Sequence, residues 1–122
     1  MSTIHPTAII DSSATIADGV VIGAFCVIGP EVSIGAGTTL LNNVTVQSNT
    51  TIGEDNWMYP YCVVGGDPQD KKFCGEATTL EVGDRNHIRE HVTIHRGTAH
   101  GGGKTIVGSD NLLMVASHVA HD

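Results

Sequence analysis

One aliphatic position recurs every six residues from Ile4 to Val64: Ile4, Ile10, Ile16, Ile22, Ile28, Ile34, Leu40, Val46, Ile52, Met58 and Val64, without a miss. Four residues after each lies a small or branched side chain (Ala8, Ala14, Val20, Cys26, Val32, Thr38, Val44, Thr50, Cys62), with Asn56 the exception. Glycine often follows the aliphatic, at Gly23, Gly29, Gly35, Gly53 and Gly65. This is a hexapeptide repeat, a signature of the parallel β-helix. Residues two apart on a strand share a face, so the aliphatic and the small residue two before it point inward together. The other residues of the unit make a corner, where glycine is expected to tolerate the bend. Three units close a triangular coil of about eighteen residues, and coils stack at the strand spacing of about 4.8 Å. One coil alone buries almost nothing, whereas the stack buries a continuous aliphatic column. The pattern predicts an all-β fold.

The column fails twice. Over 66–79 the sequence reads GDPQDKKFCGEATT, and Asp70 and Glu76 occupy positions where core aliphatics are required. That predicts an excursion of about fourteen residues, a length that in a regular scaffold is usually functional or disordered. The repeat resumes at Val82, Ile88 and Ile94, fails again over 96–104 (RGTAHGGGK), and returns at Val107, Leu113 and Val119. The glycine triplet lacks the strand–loop–helix setting of a phosphate loop. Trp57 and Tyr59 flank Met58 with the opposite parity and should face outward, as ordinary surface or as a subunit contact. His87, His91 and His95 are spaced by four, as helical metal ligands would be. In a six-residue repeat that step passes a corner, so the rings fall on different walls and no metal site is expected. His118 has the opposite parity to Val119 and faces outward. His121 lies where the next corner begins.

The 122 residues are expected to form one domain, 1–122. Aromatics at 4% suit a narrow interior. Six Lys and Arg against thirteen Asp and Glu leave a formal charge of −7, which argues against a nucleic-acid partner and a polybasic membrane contact. There is no apolar run long enough to span a membrane and no signal peptide, so a cytoplasmic protein is expected. Cys26 and Cys62 stand two coils apart on one face, about 9–10 Å at the stacking distance, beyond disulfide reach. They read as buried thiols, and Cys74 as a loop residue without a partner.

Several runs together carry a more specific signal: Gly83-Asp84-Arg85-Asn86, Ile88-Arg89-Glu90, Val92-Thr93-Ile94-His95-Arg96-Gly97-Thr98, Gly101-Gly102-Gly103, Val107 to Met114, and His118-Val119-Ala120-His121-Asp122. With Gln69-Asp70 and Lys72 in the first loop, they resemble the acyl carrier protein–UDP-N-acetylglucosamine O-acyltransferases, which catalyse the first step of lipid A synthesis in Gram-negative bacteria. The resemblance covers essentially the whole chain. It implies a left-handed β-helix, a homotrimer with sites between neighbouring subunits, and no metal or organic cofactor. It implies His121 as general base, Asp122 as the acid that orients it, and Gln69, Asp70, Lys72, His95 and His118 as residues lining the sugar-nucleotide and acyl pocket. The partners implied are UDP-N-acetylglucosamine and an acyl carrier protein bearing a 3-hydroxyacyl chain. The family continues past the position of Asp122 with further coils and a helical domain, so a truncated piece, itself inactive, is expected.

Three alternatives stand beside this reading. The N-acyltransferase later in the same pathway carries a uridine-binding domain before its repeats, whereas here they start at Ile4. A trimeric zinc protein of the hexapeptide type carries paired histidines five apart, while His118 and His121 are three apart. A non-catalytic scaffold gains nothing from the two breaks.

Overall fold

Strand pairing in the computed structural model, which describes residues 1–122, sorts the chain into three parallel sheets, the walls of a triangular coil. The first wall stacks Thr3–Ile4, Val21–Ile22, Thr39–Leu40, Trp57–Met58, His87–Ile88 and Leu112–Leu113. The second stacks Ile9–Ile10, Val27–Ile28, Thr45–Val46, Val63–Gly66, Thr93–His95 and His118–Val119. The third stacks Thr15–Ile16, Ser33–Ile34, Thr50–Ile52, Thr79–Val82 and Lys104–Val107. The result is a left-handed β-helix of about five turns.

The register measures the two excursions. Thr3 pairs with Val21, a step of eighteen residues. Trp57 pairs with His87, a step of thirty, so the first excursion adds twelve residues. His87 pairs with Leu112, a step of twenty-five, so the second adds seven. Both are shorter than the 66–79 and 96–104 read from the repeat. Strands extend into their flanks, through Gly66 and from Thr79 around the first, and through His95 and from Lys104 around the second. Backbone pairing makes the difference: Arg96 N–H donates to the Gly66 carbonyl at 2.9 Å, and Thr79 N–H to that of Gly103 at 2.9 Å.

The predicted column is the core. Ile22, Ile28, Ile34, Leu40, Val46, Ile52, Met58, Val64, Val82, Ile88 and Ile94 are all buried, packed against Val20, Cys26, Val32, Val44, Cys62 and Val92. Ile4, in the first coil, is 42% exposed because it has a neighbouring coil on one side only. Trp57 is exposed, and Tyr59 lies under the Arg89 guanidinium, 4.2 Å from the ring centroid, so both face outward. Cys26 and Cys62 are buried free thiols, and burial, with Cys26 nearby, pushes the Cys62 thiol up to about 12.

The corners work differently from the expectation. The positive φ falls one residue ahead of the small inward position, at Phe25 (58°), Glu31 (56°), Asn43 (58°), Asp55 (55°) and Tyr61 (67°). Of the five glycines after an aliphatic, only Gly65 has a positive φ, 81°. The others are glycine because the next coil lies directly against them. A Cβ at Gly29 would fall on the Gln47 carbonyl oxygen, and one at Gly35 would stand 2.6 Å from the Gly53 carbonyl.

Asn56, the exception in the small column, begins a ladder of three amides, buried at Asn56 and Asn86 and exposed at Asn111. Its Oδ1 accepts from the backbone N–H and the Nδ2 of Asn86, at 2.9 and 3.0 Å. Asn86 Oδ1 accepts in turn from the backbone N–H and the Nδ2 of Asn111, at 2.9 and 3.0 Å. The spare amide hydrogens go to the Gly83 and Gly108 carbonyls. Thr38 heads the same column and accepts from Asn56 N–H. Burial of the Asn56 and Asn86 amides is tolerable because the groups they present are paired.

Candidate functional site

The chain passes the corner between the second and third walls three times in succession, and these passes build one site. After Val63–Gly66 it runs into the first loop, 67–78. After Thr93–His95 it runs into the second, 96–103. After His118–Val119 it reaches Ala120, His121 and Asp122. Registers of Gly66 with His95 and of Ile94 with Val119 stack the three passes directly. An insertion at a corner leaves the walls intact, so both loops project over the same edge of the helix.

Arg96 ties the passes together. Its guanidinium is buried and donates to the Gly65 carbonyl at 2.8 Å, Ser48 Oγ at 3.0 Å and Asp67 Oδ1 at 2.8 Å. That contact fixes the start of the first loop. The second loop forms a short 3₁₀ turn, Ala99–Gly101, capped by Thr98, whose hydroxyl accepts from Gly101 N–H. Gly102 and Gly103 follow at φ 103° and 83°, in the left-handed region that favours glycine.

Asp122 is held by that turn. Its Oδ1 accepts from Thr98 N–H and its Oδ2 from the Thr98 hydroxyl, both at 2.6 Å. Its own N–H donates to Thr105 Oγ1 at 2.8 Å. Gly101 lies so close that a Cβ there would fall on the Asp122 carboxylate. Donation from Thr98, then from His121, holds the Asp122 carboxyl at about 2, against an ordinary 3.8. Asp122 Oδ2 lies 2.9 Å from His121 Nδ1. A carboxylate at Nδ1 places the ring hydrogen there and leaves Nε2 with its lone pair. Nε2 faces Asp70 Oδ2 at 4.0 Å, beyond a hydrogen bond.

Asp70, from the first loop, accepts from Lys72 N–H at Oδ1, 2.8 Å, and its Oδ2 meets His100 Nε2 at 3.3 Å. These contacts, with His121 nearby, lower its pKa. His95 and His118 meet edge to face, with centroids 4.9 Å apart. His118 Nδ1 lies 2.7 Å from Thr93 Oγ1. Burial, then His118 and His121, lowers the His95 pKa, and its buried Nδ1 has no partner. Of the other expected residues, Lys72 contributes backbone alone to this network, and Gln69 is exposed on the same loop. His87 lies on the first wall and His91 at a corner, stacked on Tyr61 at 5.5 Å, so the trio is dispersed as the period requires.

Sequence reasoning missed Thr98, His100 and Arg96. Their signal is positional: all three lie in a loop inserted at the corner that carries His121. The site is an open edge of the chain. A separate groove lies on the third wall among Glu31, Asn49, Thr51, Thr79 and Glu81.

No family model matches the chain. It is 50% identical over all 122 residues to the acyl-[acyl-carrier-protein]–UDP-N-acetylglucosamine O-acyltransferase of Psychrobacter sp. (strain PRwf-1), of which it covers 47%. The structure of LpxA from Acinetobacter baumannii superposes with a TM-score of 0.97 at 53% identity, over 98% of this chain and 46% of that one. The UDP-N-acetylglucosamine O-acyltransferase of Moraxella catarrhalis RH4 gives the same values. The chain thus spans about half the length of these relatives. Along its whole length the chain is similar, in sequence and in backbone, to about half of each of these O-acyltransferases.

Proposed function

We propose that the protein carrying this chain moves a (3R)-3-hydroxyacyl group from acyl carrier protein to the 3-hydroxyl of UDP-N-acetylglucosamine, with His121 as the base. The observation that carries the proposal is the dyad: His121 Nδ1 on an anchored Asp122 at 2.9 Å, with Nε2 toward Asp70 but free of a hydrogen bond to it. The names of the relatives, an O-acyltransferase acting with an acyl carrier protein among them, supply the substrate class.

A sugar hydroxyl is a weak nucleophile until its proton is removed. Imidazole, with an ordinary pKa of about 6.5, suits a base at neutral pH. His121 Nε2 takes the proton as the sugar oxygen attacks the thioester carbonyl carbon. The carbon–sulfur bond then breaks, and the imidazolium returns its proton to the departing thiolate. Asp122 favours that imidazolium and fixes the ring, as the carboxylate does in other His–Asp pairs. A positioned base of this kind is worth about 10²–10⁴ in rate.

Asp70, His95 and His118 near the dyad, with Gln69 and Lys72 on the first loop, are assigned as substrate contacts, and no metal or organic cofactor takes part. A homotrimer would cover the open edge with a neighbouring copy. Support for it comes from exposed apolar side chains on the walls and corners, among them Ile9, Phe25, Trp57, Tyr61 and Leu112. No helix is long and apolar enough to cross a membrane. A cytoplasmic location goes with a carrier-protein substrate.

The test is to incubate the full-length protein that carries this chain with UDP-N-acetylglucosamine and a panel of 3-hydroxyacyl carrier proteins, following the O-acylated sugar nucleotide by mass spectrometry. Product with at least one chain length, lost in His121→Ala, is the expected result. Absence of product across the whole panel from a folded protein overturns the reading.

A further inference from the structure

We propose that His100 is a positioning residue for this reaction: from the second loop it holds the Asp70 carboxylate off the Nε2 nitrogen of His121. The proposal rests on the reading of His121 as the base.

Asp70 Oδ2 lies between two imidazole nitrogens, His100 Nε2 at 3.3 Å and His121 Nε2 at 4.0 Å. The other carboxylate oxygen is taken by Lys72 N–H. His100 is therefore the one side chain bonded to Asp70, and the bond needs the hydrogen on His100 Nε2. With that bond made, Asp70 stops short of His121. Without it, a shift of about 1 Å brings the carboxylate within hydrogen-bond range of His121 Nε2.

That shift would disable the base. His121 Nδ1 already faces Asp122 at 2.9 Å. An imidazole with a carboxylate at each nitrogen is stabilised as the doubly protonated cation. It has no lone pair for a sugar hydroxyl, and the neutral ring is what the reaction uses.

The second loop is built to hold His100 in place. The residue sits in the 3₁₀ turn Ala99–Gly101, which is capped by the Thr98 hydroxyl and pressed against Asp122 through Gly101. The same turn thus clamps one carboxylate onto His121 through Thr98 and restrains the other through His100. The charged and titratable groups about His121 are Asp122 beside it, Asp70 from the first loop, His100 from the second, and His95 and His118 from the second wall.

The experiment compares the parent protein with His100→Ala, His100→Gln and the double variant His100→Ala with Asp70→Asn. Ring titrations of His121 are followed by nitrogen-15 resonances, with kcat and KM measured alongside. In His100→Ala the His121 midpoint rises by about one pH unit, the lower end of the shift expected from an opposite charge at this distance. Its kcat at pH 7 falls several-fold, with a smaller change in KM. His100→Gln, which retains an N–H donor, follows the parent, and the double variant loses the rise in midpoint. His100→Ala with a parental midpoint and kcat overturns the proposal, and so does a double variant that keeps the raised midpoint. The titration needs no turnover. A parent that shows these shifts without acyl transfer overturns the acyltransferase reading and leaves the His100–Asp70 contact standing.

Discussion

Thr98 meets both oxygens of Asp122, one through its backbone N–H and one through its hydroxyl, each at 2.6 Å. The hydroxyl also accepts from Gly101 N–H, so one side chain orients the carboxylate and closes the turn that carries His100. Thr98→Val keeps the shape and removes both hydroxyl bonds. The expected cost is about 1–3 kcal/mol, because Thr98 is fully buried, Asp122 Oδ2 loses the hydroxyl donor, and Gly101 N–H is left with the Thr98 carbonyl alone at 3.2 Å. Catalysis should fall by about tenfold, equivalent to about 1.4 kcal/mol in the barrier, as the dyad loosens. Thr98→Ser should restore both. Urea unfolding and steady-state rates on the three proteins check this.

The same contacts set an acid dependence of stability. Asp122 is held at about 2 in the fold, below the ordinary 3.8, chiefly by donation from Thr98. A carboxyl depressed by folding contributes stability that is fully present above about pH 4 and lost as pH falls through about 2, because the unfolded chain takes up the proton first. Asp122→Asn should therefore reduce the slope of unfolding free energy against pH in that window and lower stability at neutral pH. The slope should not vanish, since Asp11, Asp70, Glu90 and Asp110 are also depressed. Chemical denaturation from pH 2 to 7 measures it. An unchanged slope would disconnect Asp122 from the Thr98 donors.

Glycines in this fold divide into two kinds, and substitution should separate them. At Gly29 the backbone is ordinary, but an added Cβ would land on the carbonyl of the next coil at Gln47. Backbone atoms in a stacked sheet cannot give way as a side chain does. Gly29→Ala should cost about 3 kcal/mol or more, at or beyond the upper end of overpacking. At Gly75, in the first loop, φ is 83° and the space is empty. Gly75→Ala should cost only the strain of a left-handed residue, about 1–2 kcal/mol. Thermal melts of the two variants test the ordering, and a Gly29→Ala protein as stable as Gly75→Ala would refute the close approach of the coils.

Much of this was legible because the repeat states its own geometry. Ile34 or Met58 at a sixth position fixes the inward face, and a column that fails at Asp70 announces an excursion. What the period could not state is how a loop folds back. His100 lies thirty residues from Asp70, and no alternation links them; only stacking of two loops on one corner does. The corner backbone was misread for a related reason. Glycine after an aliphatic looks like a bend, whereas the constraint comes from a neighbour eighteen residues away. Asn56 was visible as an irregularity. Its pairing with Asn86 and Asn111 follows from the Gly-x-x-Asn spacing common to the three, once the loops are subtracted.

Three neighbours at the end of the second wall give the sharpest test of the site, because each should fail differently. If His121 is the base, His121→Ala lowers kcat by about two orders of magnitude or more. KM changes much less, since the base acts mainly in the transition state. His118, exposed and 2.7 Å from Thr93 Oγ1, has no carboxylate behind it. His118→Ala should raise KM more than it lowers kcat, as a substrate contact would. Asp122→Ala should fall between, because the ring remains while its orientation and the charge opposite the imidazolium are lost. The acidic limb of the kcat/KM profile should report one group in the histidine range and should vanish in His121→Ala. His95 is a poorer base on the structure: burial and two neighbouring histidines lower its pKa, and its buried Nδ1 has no carboxylate behind it. All three variants must melt like the parent for the contrast to count. A folded His121→Ala protein with near-parental kcat would remove His121 from the role and pass it to His118 or His95.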